Sequence, residues 1–114
     1  MITDIQNRVN TWACKNFGPD RPAYQRLLGA MEELGELSHT HLKREQNIRL
    51  DEDHDSNGKD AVADIIIYLL DYCNCMGWDM SELLNSTWDS VERRDWTNTS
   101  VKVDNYAISS DGSR

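Results

Sequence analysis

The sequence predicts an all-α fold, a small four-helix bundle, on three observations. Apolar residues recur at three- and four-residue intervals in four segments. Glycine and proline punctuate the gaps between them, at Gly18-Pro19, Pro22 and Gly77. The β-branched run Ile65-Ile66-Ile67 lies in a segment long enough to read as helix, flanked by Asp residues and ending Leu-rich.

The first helix is expected over residues 3–17, with Thr3 as its N-cap and Ile5, Val9, Trp12 and Ala13 as its apolar stripe. The second covers residues 23–46, where Leu27, Leu28, Met31, Leu34, Leu37 and Leu42 repeat at helical spacing. Residues 50–59 are acidic and polar and read as an exposed loop. The third helix covers residues 59–76, with Val62, Ile65, Ile66, Leu69 and Cys73 as its buried stripe and Gly77 as its stop. The fourth covers residues 81–96, with Leu83, Leu84, Trp88 and Val91 facing the core. This makes residues 1–97 one helical domain. Residues 98–114 form a tail, draped over a neighbour through Val101, Val103, Tyr106 and Ile108.

With 114 residues the chain fits one domain with a modest core, so assembly into an oligomer is expected. Its 39% hydrophobic and 28% charged residues put it among globular chains rather than disordered ones. A net charge of -8 disfavours nucleic acid and anionic membranes as partners and suits cations. Cys14, Cys73 and Cys75 have neither the even count nor the spacing of a disulfide framework, and they read as reduced thiols in a cytoplasmic protein. The start Met1-Ile2-Thr3-Asp4 lacks the basic and apolar regions of a signal peptide, and no run is long enough to span a membrane.

The acidic residues are arranged by face. At about 100° per residue, Glu33 and Glu36 fall within about 60° of each other on the second helix, with Glu32 on the flank. Asp60 and Asp64 form an i, i+4 pair on the third, with Asp71 on the same side two turns later. Gly29 inside a helix costs about 1 kcal/mol against Ala, which close approach of a backbone or a ligand would justify. Two antiparallel helices joined by a loop bring these carboxylates together. Their repulsion calls for a hard divalent cation, and Mg²⁺ with a phosphate substrate fits that chemistry. The bland alternative, two solvated acidic faces, explains either pair taken alone.

Two other metal sites compete. Asp53-x-Asp55-x-Asn57-Gly58, with Asp64 at the twelfth place, approximates a Ca²⁺-binding EF-hand loop, which would make the chain a non-enzymatic Ca²⁺-binding or interaction module using residues 53–64. Against it, Asp60 stands where an apolar residue is usual, and there is no second hand. Glu36-Leu37-Ser38-His39 is one Glu-x-x-His unit of a di-iron bundle, but a second is missing. His39, His41 and His54 are expected on the surface.

The segment Trp12 to Phe17, then Arg21-Pro22-Ala23-Tyr24-Gln25-Arg26-Leu27-Leu28-Gly29 and Met31-Glu32-Glu33-Leu34-Gly35-Glu36-Leu37, resembles the MazG-like all-α nucleoside triphosphate pyrophosphohydrolases with their Glu-Glu-x-x-Glu motif. Asp60-Ala61-Val62-Ala63-Asp64-Ile65 is similar to their second motif, and Trp88 to Trp96 to their closing helix. That second motif is usually Glu-x-x-Asp; here Ala61 takes the place of its acid, and Asp60 is the substitute one position away.

The resemblance implies a four-helix bundle completed by dimerisation, as a homodimer or homotetramer. It implies Mg²⁺-dependent hydrolysis of a (deoxy)nucleoside triphosphate to the monophosphate and pyrophosphate, in nucleotide-pool house-cleaning, with Mn²⁺ able to substitute. Glu33, Glu36 and Asp64 match metal ligands, Asp60 is inferred as the fourth, and Glu32 matches a residue that orients water or holds a second ion, so Glu32, Glu33 and Glu36 form the catalytic set. Lys43, Lys59 and Arg94 are candidates for phosphate, Trp12 and Asn16 for the base.

Overall fold

The computed structural model describes residues 1–49 and 51–97. They are all-α, with helices α1 (Ile2–Phe17), α2 (Ala23–Gln46), α3 (His54–Met76) and α4 (Met80–Glu92), and there is no strand among the described residues. None of these helices is long and apolar enough to cross a membrane. The chain divides into two compact units, Met1–Asp79 and Met80–Arg114. The tail expected over residues 98–114 lies outside the described residues.

Helix boundaries follow local chemistry. α1 starts one residue earlier than expected, with Met1 at the N-cap and no side-chain cap, so Thr3 does not take that role. α2 has the expected bounds and ends on Asn47 in the left-handed region, φ 56°, where the Asn47 N–H donates to the Arg44 carbonyl and the Ile48 N–H to the Lys43 carbonyl. Gly77, φ 73°, ends α3 in the same way. α4 stops at Glu92, before the expected Trp96.

The largest departure is at the start of α3. The helix begins at His54, five residues earlier than expected, because the Asp53 side chain accepts the Ser56 N–H at 3.0 Å and caps it. Much of the expected loop is therefore helix. An EF-hand needs its ligands on a backbone that wraps the ion. Here residues 54–64 are helical, so successive odd positions step about 200° around an axis instead of converging.

In the first unit α2 and α3 run antiparallel. Arg26 meets Asp71, Gly29 meets Tyr68, Thr40 meets Gly58 and Arg44 meets Asp55, so rising numbers on one helix pair with falling numbers on the other. α1 joins α3 near its C-terminal end, where Gln6 Nε2 donates to Asn74 Oδ1 at 3.0 Å and to the Trp78 carbonyl at 2.8 Å.

The packed interior is small and mixed. Ala13, Ala30, Ala61, Leu70 and Cys73 are its buried apolar residues, and Gln6, Arg21, Arg26, Thr40, His54 and Asp71 are buried beside them. The expected leucine stripe of α2 is not in it: Leu28, Met31 and Leu34 are 56%, 68% and 55% exposed. The reason is angular. The side of α2 facing α3 runs through residues 26, 30, 33, 37, 40 and 44, so Leu37 alone of the stripe reaches it, and Leu28, Met31 and Leu34 lie about a third of a turn away. Val62 and Ile66 of α3, and Leu83, Leu84 and Trp88 of α4, are likewise exposed rather than buried.

Candidate functional site

The antiparallel pairing brings Glu33 of α2 and Asp64 of α3 onto one groove of about 850 Å³, within the first unit. α1 supplies Arg8, Trp12 and Phe17 to it, and Tyr68 stands beside Asp64. Desolvation pushes the Glu33 carboxyl above the usual glutamate range, and the negative charges of Asp64, Glu32 and Glu36 push it further.

Gly29 explains how the helices come so close. A Cβ there would sit 2.6 Å from Tyr68 Cζ, so only glycine admits the ring over α2. The close approach expected at Gly29 is a side chain of this chain.

The other end of the groove is basic at its floor. Arg26 and Asp71 line it, and lie two helical turns, or about 10 Å, from Glu33 and Asp64 respectively. Asp71 Oδ2 accepts from Arg26 Nε at 2.9 Å and from Arg21 Nε at 3.0 Å, and its Oδ1 accepts from Arg21 Nη2. Arg21 also donates to Cys14 Sγ at 3.3 Å and to Asn10 Oδ1 at 2.9 Å. All three ionic side chains are at least nine-tenths buried. Burial alone would raise the Asp71 carboxyl. The hydrogen bonds from Arg21, Arg26 and Asn74, with the Arg21 charge, outweigh it and hold the group below the usual carboxylate range. The pairing in turn drives the Arg21 pKa upward against its own desolvation.

Asp71 had appeared in sequence as one more acid on the Asp64 face. Its neighbours Leu70, Tyr72 and Cys73 carried the signal, since a carboxylate among apolar residues needs a paired cation. Which arginines it meets was not readable from spacing, because they lie 50 and 45 residues away. Arg8, Phe17, Gln25, Arg26 and Tyr68 are groove residues that the sequence reading did not single out.

The remaining candidates divide. Trp12 lines the groove, 58% exposed and edge-on to Phe17 at 5.5 Å. Glu32, Glu36 and Asp60 are exposed, and Glu32 and Glu36 are near enough to act on Glu33. Ala61 is 2% exposed in the packed interior, whereas Asp60 is in solvent, so a carboxylate is tolerated only at the second of these positions. Asn16 is not among the groove residues; its Nδ2 donates to the Trp12 carbonyl at 2.8 Å. Lys43 is bonded to Gln46 Oε1 at 3.3 Å. Lys59 pairs with Asp55 at 3.3 Å and lines a separate cavity of about 300 Å³ with Thr40, His41, Arg44 and His54. Arg94 belongs to the second unit. His41 is exposed as expected, but His54 is buried, its Nε2 bonded to the Ile48 carbonyl at 3.0 Å.

Among the described residues no three His, Cys, Asp or Glu side chains converge as a ready-made metal cage. Mg²⁺ does not require one, since it is commonly held by one or two carboxylates together with waters and substrate phosphates. Glu33 and Asp64, mutually repelling on one groove, fit that limited role. The fold and groove define an all-α chain with a carboxylate pair facing an aromatic-lined cleft. No family model, curated protein or solved structure matches the chain.

Proposed function

We propose that the chain is a Mg²⁺-dependent nucleoside triphosphate pyrophosphohydrolase that cleaves between the α- and β-phosphates to give the monophosphate and pyrophosphate. The observation that carries the proposal is the groove of about 850 Å³ with Glu33 and Asp64 at one end and Trp12 and Phe17 on its wall. A cleft of this size suits a small organic ligand. The carboxylates suit a cation and the rings suit a base, and a nucleotide carrying Mg²⁺ has both needs.

Glu33 and Asp64 would hold the ion, with Glu36 and Asp60 flanking them; bound there, Mg²⁺ neutralises phosphate charge and makes a water more acidic. Glu32, exposed beside Glu33, is the carboxylate available to take a proton from the attacking water. Trp12 presents an exposed aromatic face to the base. Arg8, paired with Asp4 at 3.6 Å on an exposed helix face, shares the groove with Glu33 and Asp64 and is a better placed cation for phosphate oxygens than Lys59, which lines the separate cavity.

The function includes self-association through the exposed apolar face of α2. Leu28, Met31 and Leu34 form a contiguous helical stripe, each more than half exposed, of the kind that marks a protein interface. House-cleaning of surplus or noncanonical nucleotides is the role such an enzyme would serve.

The test is pyrophosphate release from a panel of nucleoside triphosphates with and without Mg²⁺. Glu33→Gln and Asp64→Asn should each lower the rate about a hundredfold or more, since the ion's charge stabilisation is worth several kcal/mol, while helix content is retained. Absence of Mg²⁺-dependent release from every triphosphate in the panel would sink the reading. Sedimentation of the wild type against Met31→Glu tests the association, with a dimer or tetramer expected to become a monomer.

A further inference from the structure

We propose that the Arg26 end of the groove reads the base through hydrogen-bond donors alone, and therefore selects bases that offer two adjacent acceptors: guanine through O6 and N7, or cytosine through O2 and N3. The inference rests on the nucleotide reading of the groove and adds the class of base.

Arg26 is fixed rather than free to search. Its Nε is held by Asp71 at 2.9 Å, its Nη1 donates to the Pro22 carbonyl at 3.3 Å and to Gln25 Oε1 at 3.4 Å, and its guanidinium lies over the Phe17 ring at 5.3 Å. Nη2 has no hydrogen-bond partner among the described residues, yet it is not a sealed orphan, because the one buried side-chain polar atom without a partner among them is His54 Nδ1. Arg26 lines the groove, so its uncommitted donor is available there.

Gln25 completes the pattern. Its amide has one acceptor and two donors. Oε1 accepts from Arg26, which turns the amide oxygen toward the guanidinium and leaves both Nε2 donors uncommitted, and Gln25 also lines the groove. A guanidinium is donor-only, and Asp71 is already taken up by two arginines. Two guanidiniums sharing one carboxylate also leave this end with a surplus positive charge, which favours electron-rich edges.

One donor from each of these two residues of the same groove pairs with two acceptors side by side. Guanine offers them on its O6/N7 edge, the edge arginine reads in duplex DNA. Cytosine offers O2 and N3. Adenine sets the N6 amino donor beside N7, and thymine and uracil interrupt their carbonyls with N3–H, so each would leave a donor facing a donor.

The test uses the intact chain and two readouts. Binding of dGMP, dCMP, dAMP and dTMP is measured by calorimetry, and turnover of the four triphosphates is measured in parallel. The expected result is that the guanine and cytosine nucleotides bind about tenfold or more tighter than the other two, that 7-deaza-dGMP loses most of the guanine advantage, and that Gln25→Glu narrows the preference. Gln25 is exposed, so that variant keeps its fold, which circular dichroism checks. Equal binding of all four monophosphates overturns the base inference, as does a preference for adenine or a preference unchanged in Gln25→Glu. Selective binding without turnover of any triphosphate would instead count against the hydrolase reading and leave the base inference standing.

Discussion

Arg26 donates from Nε to Oδ2 of Asp71 at 2.9 Å, and the same carboxylate also receives Arg21. This ionic cluster sits where an interior with five buried apolar residues among the described residues would otherwise need more core. Asp71→Asn keeps the shape and leaves two buried guanidiniums without a countercharge. The expected loss is about 3–5 kcal/mol, read as a lower urea midpoint at unchanged slope.

The same cluster sets an acid limb. Asp71 is held below its unfolded value, so its contribution is fully present above the ordinary Asp pKa of about 3.9 and is lost as pH falls through the lower folded value. Wild-type stability should therefore fall below about pH 4, and in Asp71→Asn that part of the slope should be missing. Parallel acid profiles for the two proteins would contradict this.

Gly29 and Tyr68 form a second coupled pair. Alanine at position 29 gains about 1 kcal/mol of helix propensity, but its Cβ would meet the Tyr68 ring at 2.6 Å. Overpacking of this kind costs about 1–3 kcal/mol, so Gly29→Ala should be neutral to destabilising in the wild type. In a Tyr68→Ala background the collision is gone, and the same change should stabilise by about 1 kcal/mol. A double-mutant cycle in urea measures the difference, and simple additivity would refute the contact.

Glu33 and Asp64 predict a cation-dependent effect. The folded Glu33 carboxyl is raised, by desolvation and then by Asp64, Glu32 and Glu36. The folded state therefore holds this proton more tightly than the unfolded chain. That contribution favours folding below the ordinary Glu value and disappears as pH rises through the folded value. At pH 7 in EDTA, Asp64→Asn should melt higher than the wild type because one repulsion is gone. Added Mg²⁺ should raise the wild-type melting temperature more than that of the variant. Equal Mg²⁺ shifts in both would argue against a shared ion site.

Asp53 separates a helix cap from a calcium ligand. It accepts the Ser56 N–H at 3.0 Å, so Asp53→Ala should cost about 1 kcal/mol. Asp53→Ser should restore most of that, because serine caps nearly as well. Calcium titration of the wild type should give no tight binding that depends on Asp53.

Much of this was legible in sequence. The helical periods placed four helices, and the Gly77 stop sits where it was expected; the left-handed Asn47 that ends α2 was not singled out. The facing of Glu33 toward Asp64 followed from spacing plus one assumption, that a loop folds α3 back on α2. The start of α3 was missed because the run of acidic and polar residues before Lys59 looked like a solvated loop, while a single Asp53 side chain was enough to start the helix there.

The sequence by itself determined the helices, the acidic faces and the small residues that let those faces meet, because period and capping are local properties of the chain. Tertiary structure alone decided which face became the seam. On α2 that face carries Arg26, Ala30, Glu33 and Thr40 instead of the leucine stripe, because Asp71 needs its arginines in the interior and Tyr68 fits only over Gly29. Burial of one charge dictates the position of its partners, and those partners lie some fifty residues away along the chain, where no periodicity can point to them.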